Sequence, residues 1–350
     1  MNEKLQIGII GTTTWATTLG LLFAKKGHTV ILWARNQKEA ETLSTNNENI
    51  RFLPGIKFPS NMSVTNSTLS AISTANITIF AVPSFTMEKN ISLIENHLNP
   101  NTIILSASKG LDPSGKRMTE ILSEQIKNTN IPICAISGPN LAAEIIKGKT
   151  CSMVIGSNNV NISNKIQTIM NSDQVRIYTT DDITGIELGG SLKNIIAIGS
   201  GICDGANLGK NAQSAFITRG LVEITRFATY FGAQQKTMMG LAGIGDLIAT
   251  CTSPLSRNYQ FGQKLAKGQT LSKIYNNANN VIEGIHTTKI VMNIAKQHKI
   301  NMPITEATYK VIQGSMKPNE AISELMNRYP TTCLLYTSDA ADERSSVDLG

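Results

Sequence analysis

Seven short runs of β-branched and apolar residues are strung along the first 180 residues: Gln6–Ile10, Thr29–Trp33, Ile77–Val82, Thr102–Ala107, Pro132–Ser137, Cys151–Ile155 and Val175–Tyr178. Segments with helical spacing separate them. Between the first two runs, Trp15, Leu19, Leu22 and Phe23 recur at i, i+4, i+7 and i+8, the mark of a helix with one buried face. Strand–helix alternation of this kind predicts an α/β fold, a doubly wound, Rossmann-like parallel sheet. From Glu187 the strand-like runs largely disappear. Leu188, Leu192, Ile195, Ile196, Gly199, Ile202 and Cys203 form a wide helical stripe, and helical patterns continue to about Tyr329. The sequence therefore predicts a Rossmann-like domain over 1–188 and an all-α C-terminal domain over 189–330, joined near Gly189-Gly190 with a cleft between them.

Residues 331–350 fall outside both patterns. LLYTSDAADERSSVDLG has no amphipathic period and a sudden acidic bias, and it resembles a sequencing adapter translated past the end of a gene fragment. It is read as a non-native tail. Without it the net charge rises from +7 to +10. That excess is diffuse: Lys25-Lys26 and Lys116-Arg117 are the densest basic sites, and no basic run is interleaved with aromatic residues. A nucleic-acid partner is not expected. The uncharged stretch Leu5–Ala24 has a membrane span's length, but five threonines, three glycines and a glutamine interrupt it. It reads as strand, turn and helix, and no membrane span is expected. Five widely spaced cysteines without a C-x-x-C pair support neither a disulfide scaffold nor a metal site, and point to a reducing cytoplasm.

Following the first strand, Gly11-Thr12-Thr13-Thr14-Trp15-Ala16 stands where a dinucleotide fingerprint reads G-x-G-x-x-G/A. Gly11 suits the tight turn and Ala16 the close helix–strand packing. Thr13 replaces the second glycine, adding bulk where backbone approaches pyrophosphate and disfavouring positive φ; its hydroxyl can offset this by donating to phosphate. Arg35, at the end of the second run and twenty-four residues after Gly11, replaces the usual acidic residue and favours the 2′-phosphate of NADP. NAD or NADP is thus the expected cofactor, with NADPH preferred.

None of the four histidines has a catalytic setting, so a lysine is the candidate proton donor. Lys193 interrupts an otherwise apolar helix, and acid–base work near neutrality asks for burial or a second cation beside it. Lys109, at the end of the Thr102–Ala107 strand, is the candidate second cation. Asp246 lies between apolar neighbours and can bind a substrate hydroxyl, hold Lys193 or cap a helix. Ser256-Arg257-Asn258 follows a Pro254-Leu255 turn and can offer backbone N–H groups, a hydroxyl, an amide and a guanidinium to one phosphate.

Together these pieces form an ordered set: GTTTWATTLG (11–20), AVPS (81–84), SASKGL (106–111), ISGPNLAAE (136–144), ELGGSLKNIIAIGSGICDG (187–205), GIGDLIATCTSPLSRNYQFG (243–262) and VIEGIHTT (281–288). Over residues 5–330 the chain resembles bacterial-type NAD(P)-dependent glycerol-3-phosphate dehydrogenases. The resemblance implies Lys193 as the proton-transfer residue and Lys109 as a contact to both substrate and cofactor. Gly138, Asn140, Asp246, Ser256, Arg257 and Asn258 fall at substrate positions. Gly11, Thr13, Thr14, Trp15, Arg35, Ala142, Arg257, Val281 and Glu283 fall at cofactor positions. Four departures stand out: the family usually has serine or threonine at Asn140, serine at Thr14, and glycine at Thr13 and Ala16. The implied substrates are dihydroxyacetone phosphate and sn-glycerol 3-phosphate, feeding glycerophospholipid synthesis in the cytoplasm, and a homodimer is compatible. Two alternatives are a related β-hydroxyacid dehydrogenase, disfavoured by the Ser-Arg-Asn cluster, and a non-catalytic nucleotide-binding paralogue with a degenerate glycine loop, disfavoured by the retained lysines and Asp246.

Overall fold

Strand β1 (Gln6–Ile10) pairs in parallel with β2 (Thr29–Trp33) on one side and β4 (Ile77–Phe80) on the other. The computed structural model describes residues 4–276 and 282–328. Its sheet has the order β3-β2-β1-β4-β5-β6-β7-β8, with β3 at Met62–Thr65, β5 at Ile103–Ser106, β6 at Ile133–Ser137, β7 at Cys151–Gly156 and β8 at Val175–Thr180. Its helices are α1 (Thr14–Lys25), α2 (Gln37–Asn46), α3 (Thr68–Ile72), α4 (Met87–Ile94), α5 (Met118–Gln125), α6 (Ala142–Ile146) and α7 (Val160–Met170).

Both faces of the sheet are buried, which explains why the central strands read as continuous apolar runs. Side chains alternate between two cores. Ile7, Ile9, Ile77, Ile79, Ile103 and Leu105 join Leu19 and Phe23 of α1 on one face. Ile10, Phe80 and Ile104 join Ile91 and Leu122 on the other. The order β3-β2-β1-β4 reverses direction at β1, so the crevice beyond the carboxyl ends of β1 and β4 is the place where such sheets bind ligands.

Two features depart from the sequence reading. The sheet is not parallel throughout, because β7 runs antiparallel to β6. Side chains alternate with period two in either orientation, so hydropathy does not carry strand direction. The eighth strand, β3, has only Met62 and Val64 as apolar residues and lies at the sheet edge, where one ladder suffices.

The chain divides into two compact units at Gly190, and this division falls inside a continuous helix, α8 (Ile183–Gly205), rather than in a loop. The second unit is helical: α9 (Gly209–Tyr230), α10 (Gln235–Met238), α11 (Asp246–Thr252), α12 (Arg257–Ala266), α13 (Leu271–Asn276), α14 (Glu283–His298), α15 (Pro303–Ile312) and α16 (Pro318–Met326). Leu192, Ile195, Ile196, Ala197 and Ile198 of α8 are all fully buried, so this stretch of the helix is covered on every side and takes Lys193 and Asn194 into the interior with it. Its C-terminal half packs with Phe261, Leu265, Ile285 and Val311. No single helix among the described residues is long and apolar enough to cross a membrane.

Helices α8 and α12 approach so closely that a Cβ at Gly262 would lie 1.9 Å from the carbonyl oxygen of Ile198. Gly262→Ala is therefore expected to cost about 1–3 kcal/mol through overpacking. A thermal melt should show a midpoint lower by several degrees; an unchanged midpoint would mean that α12 yields without strain.

Candidate active site

The first unit gathers polar groups at the carboxyl ends of its strands. Gly11 follows β1 with φ +112, and a Cβ there would stand 2.9 Å from Ala81 O. Its N–H donates to Trp33 O at 3.1 Å, which ties the turn to the end of β2. Thr13 behaves differently from the sequence expectation. Its φ is −62, so the site makes no demand for a glycine conformation. It is the N-cap of α1: Oγ1 accepts from Ala16 N at 3.1 Å and donates to Ala81 O at 2.9 Å. A hydroxyl has one proton, and this one is committed to β4's end rather than offered to a phosphate.

The turn is fastened elsewhere too. Asn49, buried, donates to Thr12 O and Thr17 Oγ1, both at 2.8 Å, while Thr18 Oγ1 donates to Thr14 O at 2.8 Å. Beside the turn, the indole N–H of Trp15 is buried with no partner among the described residues. Lys109, just past β5, donates from Nζ to Gly138 O at 3.1 Å and to Asn140 Oδ1 at 2.8 Å. The amide nitrogen of Asn140 and the hydroxyls of Ser106 and Ser137 are buried without partners among the described residues. Buried donors left unmade are costly, and here three of them lie at or just past the carboxyl ends of β5 and β6. With the α1 N-terminus they form a donor set that fits a dinucleotide and a small oxygen-rich substrate. Arg35 is exposed just past β2, and Ala142 opens α6. Val281 lies outside the described residues.

A second cluster forms within the helical unit. Lys193 of α8 is 6% exposed and Asp246 is 1% exposed. Lys193 Nζ donates to Asp246 Oδ1, and to Thr250 Oγ1 at 2.8 Å. Thr250 Oγ1 donates in turn to Asp246 O at 2.6 Å. Thus the structure supplies a carboxylate beside Lys193, where the sequence reading looked to a second lysine. Of the three roles open to Asp246, it takes the one of holding Lys193. It is the first residue of α11 rather than its cap, and it follows a π turn, Leu241–Gly245, closed by Gly245 N donating to Gly240 O at 3.2 Å. Such one-residue expansions recur at functional sites.

Ser256 caps α12, accepting from Tyr259 N at 3.3 Å, and Arg257 opens that helix with its side chain exposed. Asn258 is buried. Its Nδ2 donates to Asn194 Oδ1 at 2.9 Å and its Oδ1 accepts from Gly284 N at 3.1 Å. Glu283, in the first turn of α14, acts electrostatically on Arg257. Asn194 and Thr250 were missed from sequence. Thr250 had a legible signal, since it lies four residues after Asp246 on the same helix face.

Residues 6–163 match the family model for the NAD-dependent glycerol-3-phosphate dehydrogenase N-terminus, and residues 182–323 match that for its C-terminus. The chain belongs to this family. Among curated relatives, the glycerol-3-phosphate dehydrogenase (NAD(P)+) of Dehalococcoides mccartyi strain BAV1 is 45% identical over 333 residues, covering 93% of this chain and 92% of its own. That of Chlorobium phaeobacteroides is 38% identical over 328 residues, covering 93% and 98%. The crystal structure of glycerol-3-phosphate dehydrogenase from Coxiella burnetii superposes with a TM-score of 0.89 at 34% identity, covering 93% of this chain and 99% of that one. Within this glycerol-3-phosphate dehydrogenase family fold, three of the four histidines make contacts away from the candidate site: His28 Nδ1 accepts from Leu5 N, while His97 and His298 bond to Thr68 and Tyr230.

Burial pushes the thiols of Cys134, Cys151 and Cys203 up to about 11, and raises that of Cys251 further. These residues are protonated and unreactive at neutral pH. Iodoacetamide at pH 7.5 should therefore leave activity intact, whereas rapid inactivation traced to one of these four would contradict the assignment. Thr13→Val keeps the bulk but loses both hydrogen bonds, and should lower stability by about 1 kcal/mol, with Thr13→Ser close to wild type by chemical denaturation. Equal stability of the two variants would deny Thr13 its capping role.

Proposed function

We propose that the chain catalyses reversible hydride transfer between NAD(P)H and the C2 carbonyl of dihydroxyacetone phosphate, giving sn-glycerol 3-phosphate. Membership of the glycerol-3-phosphate dehydrogenase family makes it an NAD(P)-dependent oxidoreductase acting on a CH–OH group. The observation that carries the mechanistic reading is Lys193, an ammonium buried on an apolar helix and fixed by Asp246 and Thr250.

In the direction of reduction, Lys193 gives its proton to the C2 oxygen as negative charge develops there. Asp246 and Thr250 keep the ammonium aimed, and in the reverse direction Lys193 takes the alcohol proton back. Ser256, Arg257 and Asn258 bind the phosphate, with Arg257 providing the bidentate charge. Lys109, held by Gly138 O and Asn140, contacts both substrate and cofactor, and Gly138 and Asn140 take substrate positions beside it. Bound through Gly11, Thr13, Thr14, Trp15, Arg35, Lys109, Ala142, Arg257, Val281 and Glu283, the nicotinamide cofactor supplies the hydride. On this reading residues 1–188 chiefly serve the cofactor and 189–330 chiefly the substrate. The product feeds glycerophospholipid synthesis in the cytoplasm, with the enzyme acting as a homodimer.

The deciding assay follows NADPH oxidation with dihydroxyacetone phosphate. Lys193→Ala should lower kcat at least about a hundredfold, with NADPH affinity kept within about twofold of wild type. Undiminished turnover by this variant would remove Lys193 from the mechanism.

A further inference from the structure

The first half of the phosphate turn is bound to a carboxylate that the mechanism does not use. Thr12, buried at the turn, donates from Oγ1 to Glu39 Oε1 at 2.5 Å. Glu39 is half-buried in the first turn of α2, and its own N–H donates to Asn36 Oδ1 at 2.9 Å. Backbone and side chain are thus both fixed, and the carboxylate stands between the turn after β1 and the segment after β2. In sheets of this order, that place receives the adenosine ribose. Arg35 is exposed four residues earlier, on the same segment.

The two side chains make opposite demands on a nucleotide. A guanidinium attracts a 2′-phosphate, whereas a carboxylate accepts hydrogen bonds from ribose hydroxyls and repels phosphate. Thr12 uses only one of the carboxylate's acceptor positions, so others are left for a ribose. We propose that Glu39, held in place by Thr12, sets the balance between NADP and NAD by opposing the preference for the 2′-phosphate that Arg35 confers. This inference rests on the dehydrogenase reading of the same site and adds to it a residue that selects the cofactor.

Glu39→Gln removes the charge yet keeps an oxygen that accepts from Thr12, so it isolates the electrostatic effect. Binding of NADP, NAD, 2′,5′-ADP and 5′-AMP to the full chain can be followed by calorimetric titration at fixed salt. The E39Q variant should shift the NADP-to-NAD affinity ratio toward NADP by about fivefold, the size expected for one partly solvated charge pair, and move the 2′,5′-ADP-to-5′-AMP ratio in the same direction. Arg35→Gln should shift both ratios the opposite way. If E39Q does not fold, Glu39→Ser is read by the same two ratios. Ratios within twofold of wild type for the folded variant overturn the role of Glu39 while leaving the dehydrogenase reading intact. Failure of the wild-type chain to bind either dinucleotide overturns the cofactor reading, and this inference with it.

Discussion

A sheet buried on both faces has nowhere to place polar chemistry except at the ends of its strands. This constraint organises the first unit. The side chains of β1, β4 and β5 are committed to two apolar cores. What remains is the rim beyond their carboxyl ends, where Gly11, Thr13, Lys109, Gly138 and Asn140 collect. The direction reversal at β1 then selects which part of that rim opens as a crevice. Thr13 spans it, since its hydroxyl joins the turn after β1 to Ala81 after β4. In glycine's place the chain has a side chain that fastens the two strand ends together.

The helical unit solves the converse problem. An apolar helix tolerates one buried ammonium only when its charge and its donors are met, because a lone ion in such surroundings costs several kcal/mol. Asp246 and Thr250 meet Lys193 from a single helix turn. The same hydroxyl also closes on Asp246's own carbonyl, so the three groups fix one another. That mutual constraint is what a proton donor requires, since a freely rotating lysine would spend most of its time away from the reacting oxygen.

Much of this was legible in the sequence, for identifiable reasons. Six of the eight strands announced themselves as apolar runs because both faces of the sheet are covered there, and a seventh, Val175–Thr180, as an alternation of buried Val175 and Ile177 with exposed Arg176 and Tyr178. The eighth has one neighbour and only two apolar residues, so its pattern was too short to read. Lys193 and Asp246 were visible as charges among apolar neighbours, but they are 53 residues apart and nothing local tells which partner each has. Asn194 stayed hidden beside Lys193 because its role is to hold Asn258, 64 residues away. Thr13 was visible but misjudged. A fingerprint glycine carries the expectation of positive φ, whereas here the backbone is extended and the threonine serves as a cap.

The π turn before Asp246 gives this arrangement a fixed length. A turn closed from Gly245 to Gly240 holds one residue more than an α-helical turn. Removing that residue to regularise the helix would rotate everything after it by about 100°. Asp246 would leave the face that meets Lys193, and Thr250 would leave with it. Apart from Gly243, where a Cβ would lie 2.0 Å from Met238 O, residues of the Leu241–Gly245 segment can therefore be exchanged, within the limits of packing, far more readily than they can be lost. Their number sets the phase of α11 in the way that the number of teeth, rather than the metal, sets the timing of a gear.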